Sequence, residues 1–176
     1  MEIILRQETE QDHQQVFEII EQAFQNEEHS DQAEQFLVEN LRKSDAFIPE
    51  LSIVAEYEGE IVGHILLTKI VIQNGERVFD SLALAPVSVK PEFQNKGIGG
   101  RLVIKSHEVS KNLGYKSIIL LGHDKYYPRF GYRLTKEFDI KLPFEAPDEC
   151  CMAIELVDDG LSGVSGIVVY PKEFFE

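Results

Sequence analysis

The chain has no tryptophan, two methionines and two cysteines, and it is short of positive charge, with 17 Lys and Arg against 31 Asp and Glu. Each shortage excludes something. Cys150 and Cys151 are neighbours in sequence. A bridge between adjacent residues is strained, and one pair makes no disulfide framework. Both are expected to be reduced strand residues, with no metal ligation. The net charge of −14 argues against nucleic acid as a partner, because phosphate contacts need clustered Lys and Arg. It favours cationic partners through long-range attraction. No apolar run approaches the ~20 residues that span a bilayer. The opening segment, MEIILRQETE, lacks the basic head and small-residue cleavage site of a signal peptide. A cytoplasmic protein with no membrane partner is the expectation.

Two common phosphate-binding signatures are also missing. The G-x-x-x-x-G-K-[ST] loop is absent. The dinucleotide fingerprint G-x-G-x-x-[GA] fails too, because the chain reads G-I-G-G-R-L from Gly97. What is present is an ordinary globular composition, 43% hydrophobic and 27% charged over 176 residues, which predicts one domain over 1–176.

The chain is organised around residues 81–101, SLALAPVSVKPEFQNKGIGGR. The stretch reads as a strand, a turn, a glycine-rich loop and the start of a helix. The first N–H groups of a helix lack partners within it, and the macrodipole adds partial positive charge there. Glycines keep side chains from blocking those groups, so the arrangement suits a phosphate-bearing ligand. Lys90, Lys96, Arg101 and Lys105 bracket the loop, which predicts a locally positive mouth; Arg101 and Lys105 share a helix face. Pro86 interrupts the strand and cannot donate to a ladder, so it marks an edge, a bulge or a splay point. A splay would free the backbone of Val87, Ser88 and Val89.

Around this centre the pattern alternates. Residues 2–6 read as a strand. Thr9 and Asp12 resemble a capping box before a helix over about 10–25, with Val16, Phe17, Ile19, Ile20, Ala23 and Phe24 at helical spacing. Ser30 or Asp31 is expected to cap a second helix reaching Arg42, with Phe36, Leu37, Val38 and Leu41 as its inner face. Strands over 51–57, 61–72 and 77–89, joined at Glu58-Gly59-Glu60 and Asn74-Gly75, predict an antiparallel meander. A helix over 101–112 ends at Gly114, and 116–121 (KSIILL) reads as a buried strand. Strand, crossover helix and strand make this last strand parallel to that of 81–89, and the two should diverge near Pro86 and Gly122. The tail continues as strands near 138–142, 152–157 and 166–170. His64 lies in the second meander strand and reads as structural, with a site role as the alternative.

Gln94-Asn95-Lys96-Gly97-Ile98-Gly99 matches the [QR]-x-x-G-x-[GA] motif of the GCN5-related N-acetyltransferases (GNAT), and Tyr127-Pro128-Arg129-Phe130-Gly131-Tyr132 resembles their Y-x-[KR]-x-G-[FY] segment at a similar distance. The C-terminal part is similar to the bacterial YhbS-type subgroup. The resemblance implies an α/β GNAT fold. Its sheet would be mostly antiparallel, flanked by helices, with one parallel pair (81–89 and 116–121) splayed at a bulge.

It also implies acetyl-CoA as acyl donor, without a metal, and transfer to a primary amine in a ternary complex. A pantetheine arm would pair with Val87, Ser88 and Val89, while Gln94, Asn95, Lys96, Gly97, Ile98, Gly99, Gly100 and Arg101 would hold the pyrophosphate. Tyr127 matches the family's general acid; a phenol is protonated at neutral pH, as a donor must be. Tyr126 is its nearest rival, and a packing role is the alternative for Tyr127. Asp80, His123 and Asp124 are candidate bases, with water or no side chain at all as the alternative. Glu27, Glu28, His29 and Glu34 border the expected acceptor site, where a cationic amine would suit them, though a solvated helix face explains them equally. The alternatives are a non-catalytic acyl-CoA-binding regulatory module, another acyl group, or a hydroxyl acceptor. The late strands allow a monomer or a homodimer.

Overall fold

The computed structural model describes residues 1–176. Strands β1 (Ile4–Gln7), β2 (Phe47–Tyr57), β3 (Glu60–Asn74) and β4 (Arg77–Val89) lie side by side and antiparallel. The β2–β3 turn places Glu58 at φ 49° and Gly59 at φ 81°, the doubly left-handed geometry of a tight hairpin loop. Strand β5 (Ser117–Leu121) joins the far side of β4 in parallel, as the crossover through α3 (Ile98–Asn112) requires. Gly114, at φ 94°, ends that helix.

The tail adds β6 (Arg133–Leu134), β7 (Ile140–Lys141), β8 (Cys151–Glu155) and β9 (Gly166–Val169). Strand β8 pairs antiparallel with β5, and β9 returns to the far end of β3. The mixed sheet with its flanking helices is the α/β arrangement the sequence implies. No helix is long and apolar enough to cross a membrane.

The sheet buries both faces. Ile98, Leu102 and Val103 of α3 pack on Ile53, Ile65, Leu82, Leu84, Ile118 and Leu120. Gly63 lies beneath this helix, and a Cβ there would stand 3.1 Å from Leu102 Cδ1. On the other face, α1 (His13–Phe24) and α2 (Glu34–Arg42) bring Val16, Ile19, Ile20, Val38 and Leu41 onto Val54, Ile61 and Leu66. Because β3 is covered on both faces, its apolar run reads as continuous, and register shifts against both neighbours further interrupt strict alternation.

Three expectations need correction. Helix α2 begins at Glu34 rather than at Ser30 or Asp31. Gln32 adopts φ 62°, and the Ser30 and Asp31 side chains accept from the N–H groups of Gln32 and Ala33, closing turns that hold the chain out of helix. Phe36 is 51% exposed rather than part of the inner face; it meets Phe17 edge-on, with centroids 5.4 Å apart. Of the cysteine pair, Cys151 opens β8, whereas Cys150 closes a 3-10 turn just before it.

A buried polar knot joins the helical face to the sheet. The Glu8 carboxylate accepts from Arg42 of α2 and Ser52 of β2, and it lies 3.3 Å from His13 and 3.6 Å from His64. His64 is fully buried, and its Nε2 lies 2.9 Å from Ser52 Oγ, so it serves as structural glue between β2 and β3. Burial drives the His64 pKa down, with Glu8 pulling the other way. Burial alone would raise the Glu8 carboxyl, but hydrogen bonds and charge from His64, Ser52 and Arg42 outweigh it and hold the carboxyl near 2.

A carboxyl depressed from its ordinary 4.5 to about 2 stabilises the fold above pH 4.5, and that support is lost as pH falls toward 2. In urea titrations, Glu8→Gln should therefore lower stability at pH 7 and remove a pH-dependent contribution on the order of 2–3 kcal/mol from that acid window. A second series tests the α3 seam: Leu102→Ala should cost about 3 kcal/mol, whereas Ile104→Ala, at a position 58% exposed, should stay within about 0.5 kcal/mol.

Candidate active site

Strands β4 and β5 are paired only at Leu82↔Ile118 and Ala83↔Ile119. Beyond Ala83, β4 stays with β3, through Leu84, Val87, Ser88 and Val89, and leaves β5. The parting falls at the Ala85–Pro86 peptide, which is cis, opposite a register shift in β3. The backbone on the β5 side of Val87 to Val89 is thereby free of strand partners. A cavity of about 890 Å³ opens in the gap.

The far side of the gap is built by the glycine loop. Pro91–Phe93 forms one 3-10 turn, and Gln94 Nε2 donates to the Val89 carbonyl at 3.1 Å. That bond folds the loop back onto the end of the strand. Asn95 (φ 63°) and Gly97 (φ 82°) then reverse the chain into α3, whose N-cap is Gly97. Nothing lies within 4 Å of the place a Gly97 Cβ would occupy. Arg101 N–H closes the first helical bond on Gly97, so the N–H groups of Ile98, Gly99 and Gly100 have no partner in the helix. Nine of the eleven residues expected to hold the cofactor lie on the cavity wall; Lys96 and Arg101 do not.

The third wall follows β5. Leu121, Gly122 and His123 leave the strand, and Tyr126, Tyr127, Arg129 and Phe130 cross the opening. Tyr127 is buried, and its ring packs so closely on Gly122 that a Cβ there would stand 2.5 Å from Tyr127 Cε2. Burial raises the Tyr127 pKa well above that of a free phenol, with Tyr126 adding to the effect, so its hydroxyl is protonated at physiological pH. Tyr132 backs it edge-on at 5.7 Å, and the Tyr132 hydroxyl shares a hydrogen bond of 2.8 Å with Nε2 of His107, which burial keeps neutral with a pKa of about 4. Tyr126 meets Tyr127 edge-on from another side, with centroids 5.0 Å apart and its hydroxyl over Gly99.

The fourth wall comes from the helical face. Ala23 and Phe24 at the end of α1, Glu27 beyond it and Glu34 at the start of α2 reach the cavity; Glu28 and His29 do not. Burial pushes the Glu34 carboxyl up, against hydrogen bonding from Ser30. Of the candidate bases, His123 lies on the wall and Asp124 does not. Asp80 is distant: it pairs with Val71 and lines a separate hollow with Lys69 and Tyr115.

The four basic residues expected to form a positive mouth do not line the cavity. Lys90 pairs with Glu60, Arg101 Nη2 donates to the Ile3 carbonyl at 3.2 Å, Lys105 lies 3.4 Å from Glu108, and Lys96 lies over the Phe93 ring at 5.9 Å. Helix α3 turns Arg101 toward β1 and away from the gap. Sequence reasoning overlooked Arg129, the one Lys or Arg on the wall. Its place inside the Tyr-Pro-Arg-Phe cluster was the available signal.

Residues 5–135 match the family model of the acetyltransferase (GNAT) domain. The chain is 37% identical over 115 residues to the uncharacterized N-acetyltransferase YjhQ of Escherichia coli K12, covering 64% of this chain and 63% of that relative's length. It is 27% identical over 142 residues to the uncharacterized N-acetyltransferase YhbS of the same strain, covering 81% and 83% of the two chains. The crystal structure of E. coli YhbS in complex with CoA superposes with a TM-score of 0.88 over 99% of this chain and 92% of that one, at 25% identity. A GNAT-family acetyltransferase from Brucella melitensis in complex with acetyl-CoA gives 0.79 over 98% of each chain, at 29% identity. With the family model spanning most of its length, and with a splayed strand pair and glycine loop framing one cavity, the chain belongs to the GNAT acetyltransferase family.

Proposed function

We propose that this chain transfers an acetyl group from acetyl-CoA to a primary amine by direct attack, with donor and acceptor held together in the cavity between β4 and β5. The observation that carries this reading is convergence: a free strand edge, unpartnered helix N–H groups and a protonated buried phenol face one space. Solved relatives hold CoA and acetyl-CoA, which supports the same donor here.

The residues present fit such a donor. The backbone of Val87 to Val89 can take an extended amide-bearing arm as an added strand. Gly97 leaves open space before the N–H groups of Ile98 to Gly100, which suits anionic oxygens. When bound, acetyl-CoA supplies a thioester, an acyl group already activated toward amines. The protein's part is to place the two reactants side by side and to manage two protons. Tyr127 O–H supplies the proton that the departing sulfur takes up. His123, the one of the three candidate bases that stands on the wall, takes the proton that the amine gives up. Glu27 and Glu34, on the opposite wall, suit a cationic acceptor electrostatically.

Calorimetric titration with acetyl-CoA, with ATP as control, comes first. Micromolar binding of acetyl-CoA with ATP much weaker is expected; no binding would sink the reading. Thiol release across a panel of primary amines then identifies an acceptor. With that acceptor, Tyr127→Phe should lower kcat by roughly 10²-fold, in the range of lost general-acid catalysis, while acetyl-CoA affinity changes by no more than about threefold. An unchanged kcat would remove Tyr127 as the acid. Because the phenol stays protonated, the wild-type rate should show no falling limb from Tyr127 below about pH 10.

A further inference from the structure

A donor with several phosphate charges must enter a protein of net charge −14. Something on the wall has to meet those charges. The basic residues nearest in sequence do not line the cavity, and each has another neighbour: Glu60 for Lys90, the Ile3 carbonyl for Arg101, Glu108 for Lys105 and the Phe93 ring for Lys96. Arg129 is left. It lines the cavity, and none of the chain's ion pairs includes it.

Arg129 is exposed but tethered at two points. Its Nε donates to the Tyr126 carbonyl at 2.9 Å, and its guanidinium lies over the Tyr126 ring at 4.7 Å. Tyr126 in turn leans on the first turn of α3, with its hydroxyl 3.2 Å from where a Gly99 Cβ would be. Phe130 does the same at Gly100, with Cζ at 3.3 Å. The 126–130 turn is therefore docked on the two glycines that carry unpartnered N–H groups. With Nε and the ring face occupied, the terminal nitrogens of Arg129 are the donors left for a ligand. A planar, fixed guanidinium beside backbone N–H groups is suited to phosphate oxygens.

We propose that Arg129, braced by Tyr126, is the cation that receives the phosphates of coenzyme A at the start of α3, a role that none of Lys90, Lys96, Arg101 or Lys105 fills. This rests on the donor reading given above. Either the pyrophosphate or the 3′-phosphate could be the group received; the chemistry is the same, and the ligands distinguish them. Tyr126 is a positioning residue whose aromatic face orients the guanidinium.

The test is calorimetry of the full chain with CoA and with dephospho-CoA, for wild type, Arg129→Gln, Arg129→Lys, Tyr126→Leu and Arg101→Gln. Arg129→Gln should weaken CoA by about tenfold or more, the scale of a lost charge-assisted contact, and its affinity should respond less to added salt. Arg129→Lys should fall between, keeping the charge but not the fork, and Tyr126→Leu should lose several-fold by freeing the guanidinium. Arg101→Gln should bind as wild type. Equal loss for both ligands assigns the contact to the pyrophosphate; loss confined to CoA assigns it to the 3′-phosphate. Arg129→Gln binding both ligands within twofold of wild type overturns the proposal, as does a larger loss in Arg101→Gln. Should Arg129→Gln melt early, Arg129→Lys decides, and wild-type affinity with an unchanged salt response overturns it. A wild type that binds neither ligand refutes the donor reading itself, which is a distinct result.

Discussion

The parting of β4 from β5 is the constraint on which the rest of the molecule depends. Parallel strands joined by a crossover helix stay in register only while their ladder holds, and here it holds for two residue pairs. Past Ala83 the chain keeps its hydrogen bonds to β3 and gives up those to β5, so one edge of a central strand faces open space. A free edge inside a sheet is costly unless something else satisfies it. The fold brings the glycine loop, the start of α3 and the Tyr126–Phe130 turn to the same opening, each with its own unsatisfied or polarised groups. Architecture and candidate site are one feature seen at two scales.

Much of this was legible in the chain. Pro86 marks the splay because proline removes a ladder donor, and the spacing from Gly97 to the apolar run of 116–121 announces a crossover helix and a parallel neighbour. Glu58-Gly59 and Asn74-Gly75 are turns for local steric reasons, and they appear where expected. Gln94 shapes the loop with its side-chain amide, as its position at the head of the motif suggests.

What was not legible is tertiary. Lys90, Lys96, Arg101 and Lys105 cluster in sequence, yet a helix start and a turn scatter their side chains, and each finds a different neighbour. Phe36 is apolar but lies two residues before Val38, on the opposite side of α2, and is exposed. Asp80 sits in the same strand as the site, but strand length separates it from the chemistry. Glu8 and Arg42, far apart along the chain, form an ion pair that no local pattern announces.

That ion pair divides the helical face into two regimes. Helix α2 is anchored at its C-terminal end, where Arg42 meets the knot under the sheet, while its N-terminal end and the 25–33 connection rest on short-range turns. The connection and the end of α1 form the wall opposite the glycine loop. Changes there touch neither the anchor nor the strand edge. The fold thus separates the tethered end of α2 from the end that meets the cavity. Substitutions at Glu27 or Glu34 would reach the cavity without removing either member of the Glu8–Arg42 pair.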